Sequence, residues 1–450
     1  MFALDRHASF FQHSLRLLPY HYTQTDTTRL ALIFFCVSAL DLLGYLPVAN
    51  QECSPKSKVT KNEVEHWKEW VYSTCLLPTC DAFRCSPATA VPHGASTSST
   101  MDNDNVGYDV GHTAGTYFAL SILIILRDDL SRLDRVRMMR WLRKCQRPDG
   151  SFAAGVIQPI GNESSDNLEG YFGERDLRFG YCAAAARWFI GGDILVRKNV
   201  VQDIDIDSVA AYISSCVSYD GGIAMGRHAE GHAGLTYCGV GTLRLLGQAS
   251  TKVLTDEAVD GLVRWSLMHQ VYAELDAESS SDGASDSEVT SESSSDISVQ
   301  DGTADIPAGF NGRINKPADT CYSFWSGGTL EMLPLPGTLS SSNTGSLGLS
   351  DIRSNIIFLL TQTQNPMIGG FSKVAGTPPD LMHAYLGIAA LALSTDVVRE
   401  QGGPEKFAKN DLEREIIASI LPLKSIDGAL CLSTSAKQYA EGLRAKWEKE

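Results

Sequence analysis

"LRKCQRPDGSF", Leu142 to Phe152, closes an amphipathic run with polar residues, turns on Asp-Gly and resumes with an aromatic ring. A helix that stops at glycine and hands the chain to a new apolar segment is half of a helical hairpin. The same punctuation returns in "ISSCVSYDGGIA" (Ile213 to Ala224), in "LMHQ" leading on to "AGFNGR" (Ala308 to Arg313), in "LLTQTQNPMIGGF" (Leu359 to Phe371) and in "ILPLKSIDGAL" (Ile420 to Leu430). Once an acidic insertion is subtracted, the period is about 50 to 70 residues, which suits two helices and a turn. Helical hairpins repeated in this way usually close on one another; the alternative is that Asp-Gly and Gly-Gly are only common helix stops.

Between these turns the helical period dominates. "GTYFALSILIILRDDLSRLDRVRMMRWLRKCQ" reads as two helices joined at Asp128 to Arg132, and "DLRFGYCAAAARWFIGG" and "GLTYCGVGTLRLLGQ" as small-residue helices with glycine stops. Strand-like alternation is scarce, so the expected fold is all-α, one domain over residues 1–450. Three polar stretches interrupt it. Residues 274–305, rich in Ser, Asp and Glu, bury too little to offset the entropy of ordering and are expected to be a disordered insertion. Leu339 to Ser350 and Cys75 to Asp104 are expected to be exposed connections. Loop closure costs grow only logarithmically, so such insertions leave the domain undivided.

With 450 residues, 43% of them hydrophobic and 20% charged, the chain has material for a large core. Its formal charge of −15 argues against nucleic acid or an anionic membrane as the main partner. Ten of the acidic residues, and no basic ones, lie between Glu274 and Asp305, so the rest is only mildly acidic. Eleven scattered cysteines, an odd number, read as reduced thiols of a cytoplasmic protein. "MFALDRHASFFQHSL" lacks the features of a secretory signal. "LALIFFCVSALDLLGYL" is short for a bilayer span and carries Asp41, so a buried helix is expected there and no membrane-spanning segment. There is no GxxxxGK[ST] phosphate loop, strand-based glycine fingerprint or GxSxG elbow, which sets nucleotide chemistry and α/β hydrolysis aside.

The residues that carry chemistry gather in "NGRINKPADTCYSFW", Asn311 to Trp325. Asp319 and Cys321, one residue apart at a helix start, can converge on a metal. His383, after the Pro-Pro-Asp cap of "PPDLMHAYLGIAAL", is the candidate third ligand. A carboxylate, a thiolate and an imidazole leave zinc a fourth position, the mark of a catalytic site. A lone Asp-x-Cys and a lone histidine on an apolar helix also occur as ordinary core residues, so spacing leaves both readings open. Arg313 and Lys316 bring two cations to one turn, Tyr322 adds a hydroxyl, and His232 in "RHAEGHAGLTYCG" a further donor. Such a cluster suits a diphosphate, and a solvated surface turn is the alternative.

Taken together, "SRLDR…LRKCQRPDGSF", "DLRFGYCAAA", "SYDGGIA…GHAGLTYCG", "GFNGRINKPADTCYSFW" and "GGFSK…PPDLMHAYLGIAALAL" resemble the protein prenyltransferase β subunits, in that family's order and over residues 5 to 395. The resemblance implies an α/α toroid of paired helices around an apolar funnel, in an obligate heterodimer with a helical-repeat α subunit. It implies one catalytic Zn2+ held by Asp319, Cys321 and His383, a diphosphate site of His232, Arg313, Lys316, Tyr322 and Lys373, and an isoprenoid channel lined by Ala31, Tyr181, Cys238 and Trp325. Arg178, Met382 and Leu386 then belong to the peptide site.

Within that family the chain is most similar to the geranylgeranyl type I form. Ala31, in "TRLALIFF", stands where the farnesyl enzyme has a tryptophan that shortens the pocket, leaving room for a fourth isoprene unit. Lys373 stands where the farnesyl enzyme has a magnesium-binding aspartate, so magnesium is not expected to be required. Met382 and Leu386 suit a C-terminal Leu or Phe on CaaX proteins such as Rho-type small GTPases. The implied reaction is transfer from geranylgeranyl diphosphate to a cysteine thiolate; a farnesyltransferase β subunit and a non-catalytic prenyl-binding toroid are the alternatives. Ala31 is smaller than the family's usual threonine, Leu235 replaces a more polar or aromatic residue, and the family generally lacks the acidic insertion.

Overall fold

In the computed structural model, which describes residues 1–49, 51–90, 110–157, 170–248, 253–272, 307–336 and 344–450, the hairpins form and their inner members close into a ring. Outer helices α1 (Leu4–Arg16), α3 (Lys61–Trp70), α5 (Arg135–Cys145), α8 (Ile206–Ser215), α10 (Asp256–Met268) and α12 (Ile352–Phe358) alternate with inner helices α2 (Arg29–Leu42), α4 (Thr113–Ile125), α6 (Leu177–Phe189), α9 (Ala233–Leu245), α11 (Thr320–Met332) and α13 (Leu381–Glu400). Short α7 (Gly192–Arg197) and α14 (Pro404–Phe407), then α15 (Asp411–Ala418) and α16 (Thr434–Lys449), complete the order. Each inner helix packs on the next, and α13 returns to α2.

Sequence explains which helix goes where. In α5, Met138, Met139, Trp141 and Leu142 are buried while Arg143 and Lys144 close its last turn, the pattern of a one-sided surface helix. Helix α6 buries residues all round, and its Ala183 to Ala186 run lets neighbours approach closely. α13 is the one described helix long and apolar enough to cross a membrane, and it is buried inside the ring. The expected buried helix at Leu30 to Leu46 is α2, which stops at Leu42.

The repeated turns prove to be one structural unit. Gln146 bridges Phe152, Val217 bridges Ile223, and Gln364 bridges Phe371. Gly150 has φ +87, and a side chain there would meet the Ser208 carbonyl at 2.0 Å, which is why this stop is glycine. Four antiparallel ribbons of two or three residues per strand accompany the turns: β1 (Gly155–Ile157) with β2 (Gly170–Phe172), β3 (Gln270–Tyr272) with β4 (Ala308–Phe310), β5 (Phe371–Ser372) with β6 (Pro379–Asp380), and β7 (Ile426–Asp427) with β8 (Leu432–Ser433). They are too short to show as alternation in the sequence. The acidic insertion 274–305 lies outside the described residues, but its flanks pair Tyr272 with Ala308, so the chain leaves and re-enters at one place.

Two expectations need correction. Cys75 to Phe83 is no exposed connection: Leu76 bridges Phe83, and Cys75, Leu77, Ala82 and Phe83 are buried, because this is a further copy of the same turn. Residues 91–104 of that stretch lie outside the described residues. Likewise Gly345–Leu349 is a 3-10 turn with Gly345, Ser346 and Leu347 buried, packed on α11. Residues 339–343 lie outside the described residues.

One long-range feature organises the interior. Tyr117, Tyr181, Tyr237 and Tyr385 each stand five positions after the N-cap of an inner helix, and each donates its hydroxyl to one carbonyl of a single four-residue stretch. Tyr237 meets Gly428 at 2.8 Å, Tyr181 meets Ala429 at 2.9 Å, Tyr117 meets Leu430 at 3.1 Å and Tyr385 meets Cys431 at 2.6 Å. Buried carbonyls of this kind must be paired, so the phenols are what allow the C-terminal segment to sit within the ring. The rings also touch one another, Tyr117 to Tyr181 and Tyr181 to Tyr237 each at 5.4 Å, and Phe324 of α11 continues the level at 5.5 Å from Tyr237.

Candidate active site

Because those five aromatic residues share a level and a helical position, the N-termini of their helices open at one mouth of the ring. Every one of these N-termini is capped by a side chain: His112, Asp176, His232, Asp319 and Asp380 all accept backbone N–H bonds. Helix dipoles thus put partial positive charge at the mouth, where an anion is favoured.

Three of the predicted site residues meet there. The ligating atoms of Asp319, Cys321 and His383 all lie within 4.8 Å of one another, and each residue is buried. Asp319 caps α11 by accepting the Cys321 N–H at 2.9 Å, which fixes the spacing of carboxylate and thiol. His383, in the first turn of α13, brings Nε2 to 3.3 Å from Asp319 Oδ1. Its other nitrogen, Nδ1, donates to Asp380 Oδ2 at 2.5 Å, while Asp380 Oδ1 accepts the N–H groups of Met382 and His383. This commits Nδ1 to keeping its proton, so Nε2, facing Asp319 and Cys321, is the nitrogen that would give its proton up to take a metal. In the sequence Asp380 stands out as a cap, and its place three residues before His383 is the signal for its second task.

Electrostatics suits a cation here. Burial, then the Asp319 carboxylate, pushes the Cys321 thiol far above its ordinary value. Burial lowers His383, but hydrogen bonds to Asp319 and Asp380 outweigh it and raise the imidazole to about 9. Two carboxylates around one thiol and one imidazole in a buried pocket call for positive charge. An oxygen, sulfur and nitrogen donor set with an oriented imidazole fits zinc.

The second group adjoins the first through α11. Tyr322, next to Cys321, holds its hydroxyl 3.2 Å from His232 Nε2. His232 Nδ1 accepts the Gly234 N–H, so the neutral ring carries its proton on Nε2. Burial, then Arg313 and Arg178, lower the His232 pKa and favour that neutral form. The turn bearing Arg313 and Lys316 is tied to α9 by the Gly312 carbonyl, which accepts the Ala233 N–H at 3.0 Å. Lys373 accepts the Thr320 N–H on its carbonyl and carries Nζ 4.0 Å from Asp319 Oδ2.

The remaining predicted residues are spread more widely. Arg178 opens α6 and is chelated by buried Asp176, its Nε 2.8 Å from Oδ2. Tyr181 and Cys238 are buried, and the Trp325 ring lies 4.8 Å from that of Tyr237, so these three belong to the aromatic belt or sit beside it. Ala31 is half-buried on α2. Met382 is 38% exposed at the mouth, whereas Leu386, one turn deeper, is 1% exposed and part of the core.

Comparison with known proteins agrees with this geometry. The family model described as "Prenyltransferase alpha-alpha toroid domain" matches residues 2–432. The "Geranylgeranyl transferase type-1 subunit beta" of Arabidopsis thaliana is 31% identical over 406 residues, 89% of this chain and 86% of that protein. Its counterpart of the same name from Dictyostelium discoideum is 29% identical over 398 residues, 86% of this chain and 90% of that one. Among solved structures, "Candida albicans protein geranylgeranyltransferase-I complexed with GGPP" superposes with a TM-score of 0.71 at 24% identity, covering 98% of this chain and 99% of that one, which speaks for the fold. The chain therefore belongs to the prenyltransferase α/α-toroid family, in its group of geranylgeranyl transferase type-1 β subunits, and is a prenyltransferase.

Proposed function

We propose that this chain is the catalytic β subunit of a zinc-dependent heterodimer that transfers the C20 group of geranylgeranyl diphosphate to the cysteine of CaaX proteins ending in Leu or Phe, in the cytoplasm and without magnesium. The observation that carries the reading is the adjacency, across Cys321 and Tyr322, of a three-donor metal cluster and a paired imidazole and phenol, His232 and Tyr322, beside the turn that bears Arg313 and Lys316. Asp319, Cys321 and His383 would hold Zn2+, which supplies a Lewis-acid position at which a peptide thiol stays deprotonated near neutral pH. Asp380 keeps His383 in the tautomer that can ligate. Arg313, Lys316, Lys373 and the Nε2–H of His232 offset charge on the departing diphosphate, and the Tyr322 hydroxyl adds a donor. Tyr181, Cys238, Trp325 and Ala31 line the apolar path that keeps the isoprenoid dry and aligned with the thiol. Arg178 and Met382 at the mouth form the site for the peptide's C-terminus, which Leu386, one turn below Met382, shapes from within the core.

The test is single-turnover transfer by the chain co-expressed with a prenyltransferase α subunit, using geranylgeranyl and farnesyl diphosphate and a peptide ending Cys-aliphatic-aliphatic-Leu, with magnesium chelated. Preferred C20 transfer with one bound zinc per heterodimer is expected. Preferred C15 transfer would favour the farnesyl reading, and donor binding without turnover or zinc would favour a carrier.

A further inference from the structure

We infer that Asn311, backed by His269, is the positioning residue that sets where Arg313 and Lys316 present their charges. The inference rests on reading those two cations as the diphosphate site. Neither cation is fixed by packing of its own side chain: Lys316 is exposed, and the Arg313 side chain is 49% exposed with Glu230 4.0 Å away. Their placement is therefore set by the backbone of residues 311–316, and Asn311 closes that turn. Its Nδ2 donates to the Lys316 carbonyl at 2.8 Å, and its backbone N–H donates to the His269 carbonyl at 2.9 Å. Its Oδ1 accepts from His269 Nδ1, and both side chains are buried, at 4% and 3% exposure. His269 in turn lies against the Trp265 ring, with centroids 4.0 Å apart, at the end of α10.

Only a side chain with both a donor and an acceptor serves both ends of this link. Aspartate has the same shape and would keep the bond from His269, but it has no hydrogen to give to Lys316. The turn has little freedom to compensate. Asn315 has φ +61, and a side chain at Gly312 would meet the Tyr322 ring at 2.1 Å, so glycine lets the turn lie flat against the tyrosine that reaches His232. The chain of contacts runs from Trp265 through His269 and Asn311 to the Lys316 backbone, and holds the two cations at a fixed distance from His232 and Tyr322. Preorganised donors of this kind act through position, and a looser turn weakens them without removing a charge.

The experiment compares Asn311→Asp, Asn311→Gln, Lys316→Ala, Arg313→Ala and the Asn311→Asp/Lys316→Ala double variant in the assembled enzyme. It reads KM for geranylgeranyl diphosphate, KM for the peptide, and inhibition by inorganic pyrophosphate. Asn311→Asp is expected to raise donor KM and the pyrophosphate inhibition constant about tenfold together, with peptide KM unchanged. Asn311→Gln is expected to recover part of the loss, and the double variant to fall short of the sum of the two single changes, because they share the Lys316 contribution while the Arg313 contribution is lost only through Asn311. If Asn311→Asp fails to assemble, His269→Phe, which keeps a ring against Trp265 and drops the donor to Oδ1, is expected to show the same donor-specific change. Wild-type donor and pyrophosphate constants in Asn311→Asp, while Lys316→Ala shifts both, would overturn the positioning role alone. Unchanged donor binding in both Lys316→Ala and Arg313→Ala would overturn the diphosphate reading and this inference with it.

Discussion

Removing one phenol hydroxyl from the interior ring should loosen a stretch of chain distant in sequence from every tyrosine that holds it. In Tyr385→Phe the apolar packing of the ring is kept and a 2.6 Å bond to the Cys431 carbonyl is lost, together with a 3.1 Å contact to Cys431 Sγ. A buried carbonyl deprived of its donor costs about 1–3 kcal/mol. Since about 1.4 kcal/mol is a factor of ten, local opening of residues 428–431 should become about tenfold more frequent. Tyr237→Phe should do the same at Gly428, where the bond is 2.8 Å. Their combination should fall short of additivity, because Tyr237 and Tyr181 also share a 3.1 Å hydroxyl contact and neighbouring phenols can shift toward the vacated carbonyl. The assay is hydrogen exchange in the assembled enzyme at the Leu430 and Cys431 amides, which bond to Asp427 at 2.8 Å and 3.0 Å and report opening of the segment. Tyr439→Phe, outside the ring and stacked on Arg127, is the comparison and should leave those amides unchanged. Wild-type exchange at Leu430 and Cys431 in the Tyr237→Phe/Tyr385→Phe double variant would refute the claim that the phenols hold the segment.

Other consequences are as direct. Cys321→Ser or His383→Ala should abolish bound zinc and peptide transfer while sparing donor binding, and normal turnover in either would refute the assigned metal site; Asp380→Asn, which loses the carboxylate orienting His383, should weaken zinc about 10- to 100-fold, read by competition with a chelator. Ala31→Trp should shift donor preference toward C15 by filling the channel, and an unchanged C20 to C15 ratio would remove Ala31 from it. Glu331, pressed against Gly428, has its carboxyl pushed up to about 8 by burial and then by Asp427, from an ordinary 4.5. A raised folded-state pKa means the folded protein holds the extra proton, so this group's stabilisation is full below about 4.5 and is lost as pH rises through about 8. Glu331→Gln should flatten that decline in urea midpoints measured from pH 5 to pH 9, and an unaltered slope would contradict the assignment.

The helical hairpins were legible because their signals are local. A glycine stop after a polar helix end, as at Gln146 to Phe152, is a property of consecutive residues, and so is the small-residue run that marks α6 as an inner helix. The copy at Cys75 to Phe83 escaped notice because its turn, "PTCDAF", uses Asp81 at φ +55 where other copies use glycine. The candidate site was legible as a cluster for a similar reason: Asp319, Cys321, Tyr322 and the Arg313 turn lie within one short stretch, and His383 follows a recognisable cap. What could have been found and was not is the register, since His112, Asp176, His232, Asp319 and Asp380 each precede an aromatic residue by five positions.

Sequence by itself thus determined the class of fold, the pairing of helices and the chemical types in the site, because helix periodicity, capping and turn propensity act over a few residues. Only the tertiary structure decided which of these meet. That His383 comes within reach of Asp319 depends on α13 packing beside α11, and that Asn311 steadies Lys316 depends on His269 arriving at the end of α10. That residues 428–431 run through the ring depends on four hydroxyls contributed by four different helices. These contacts join residues far apart in the chain, and hydrogen bonding in a buried interior selects them only after the ring has closed.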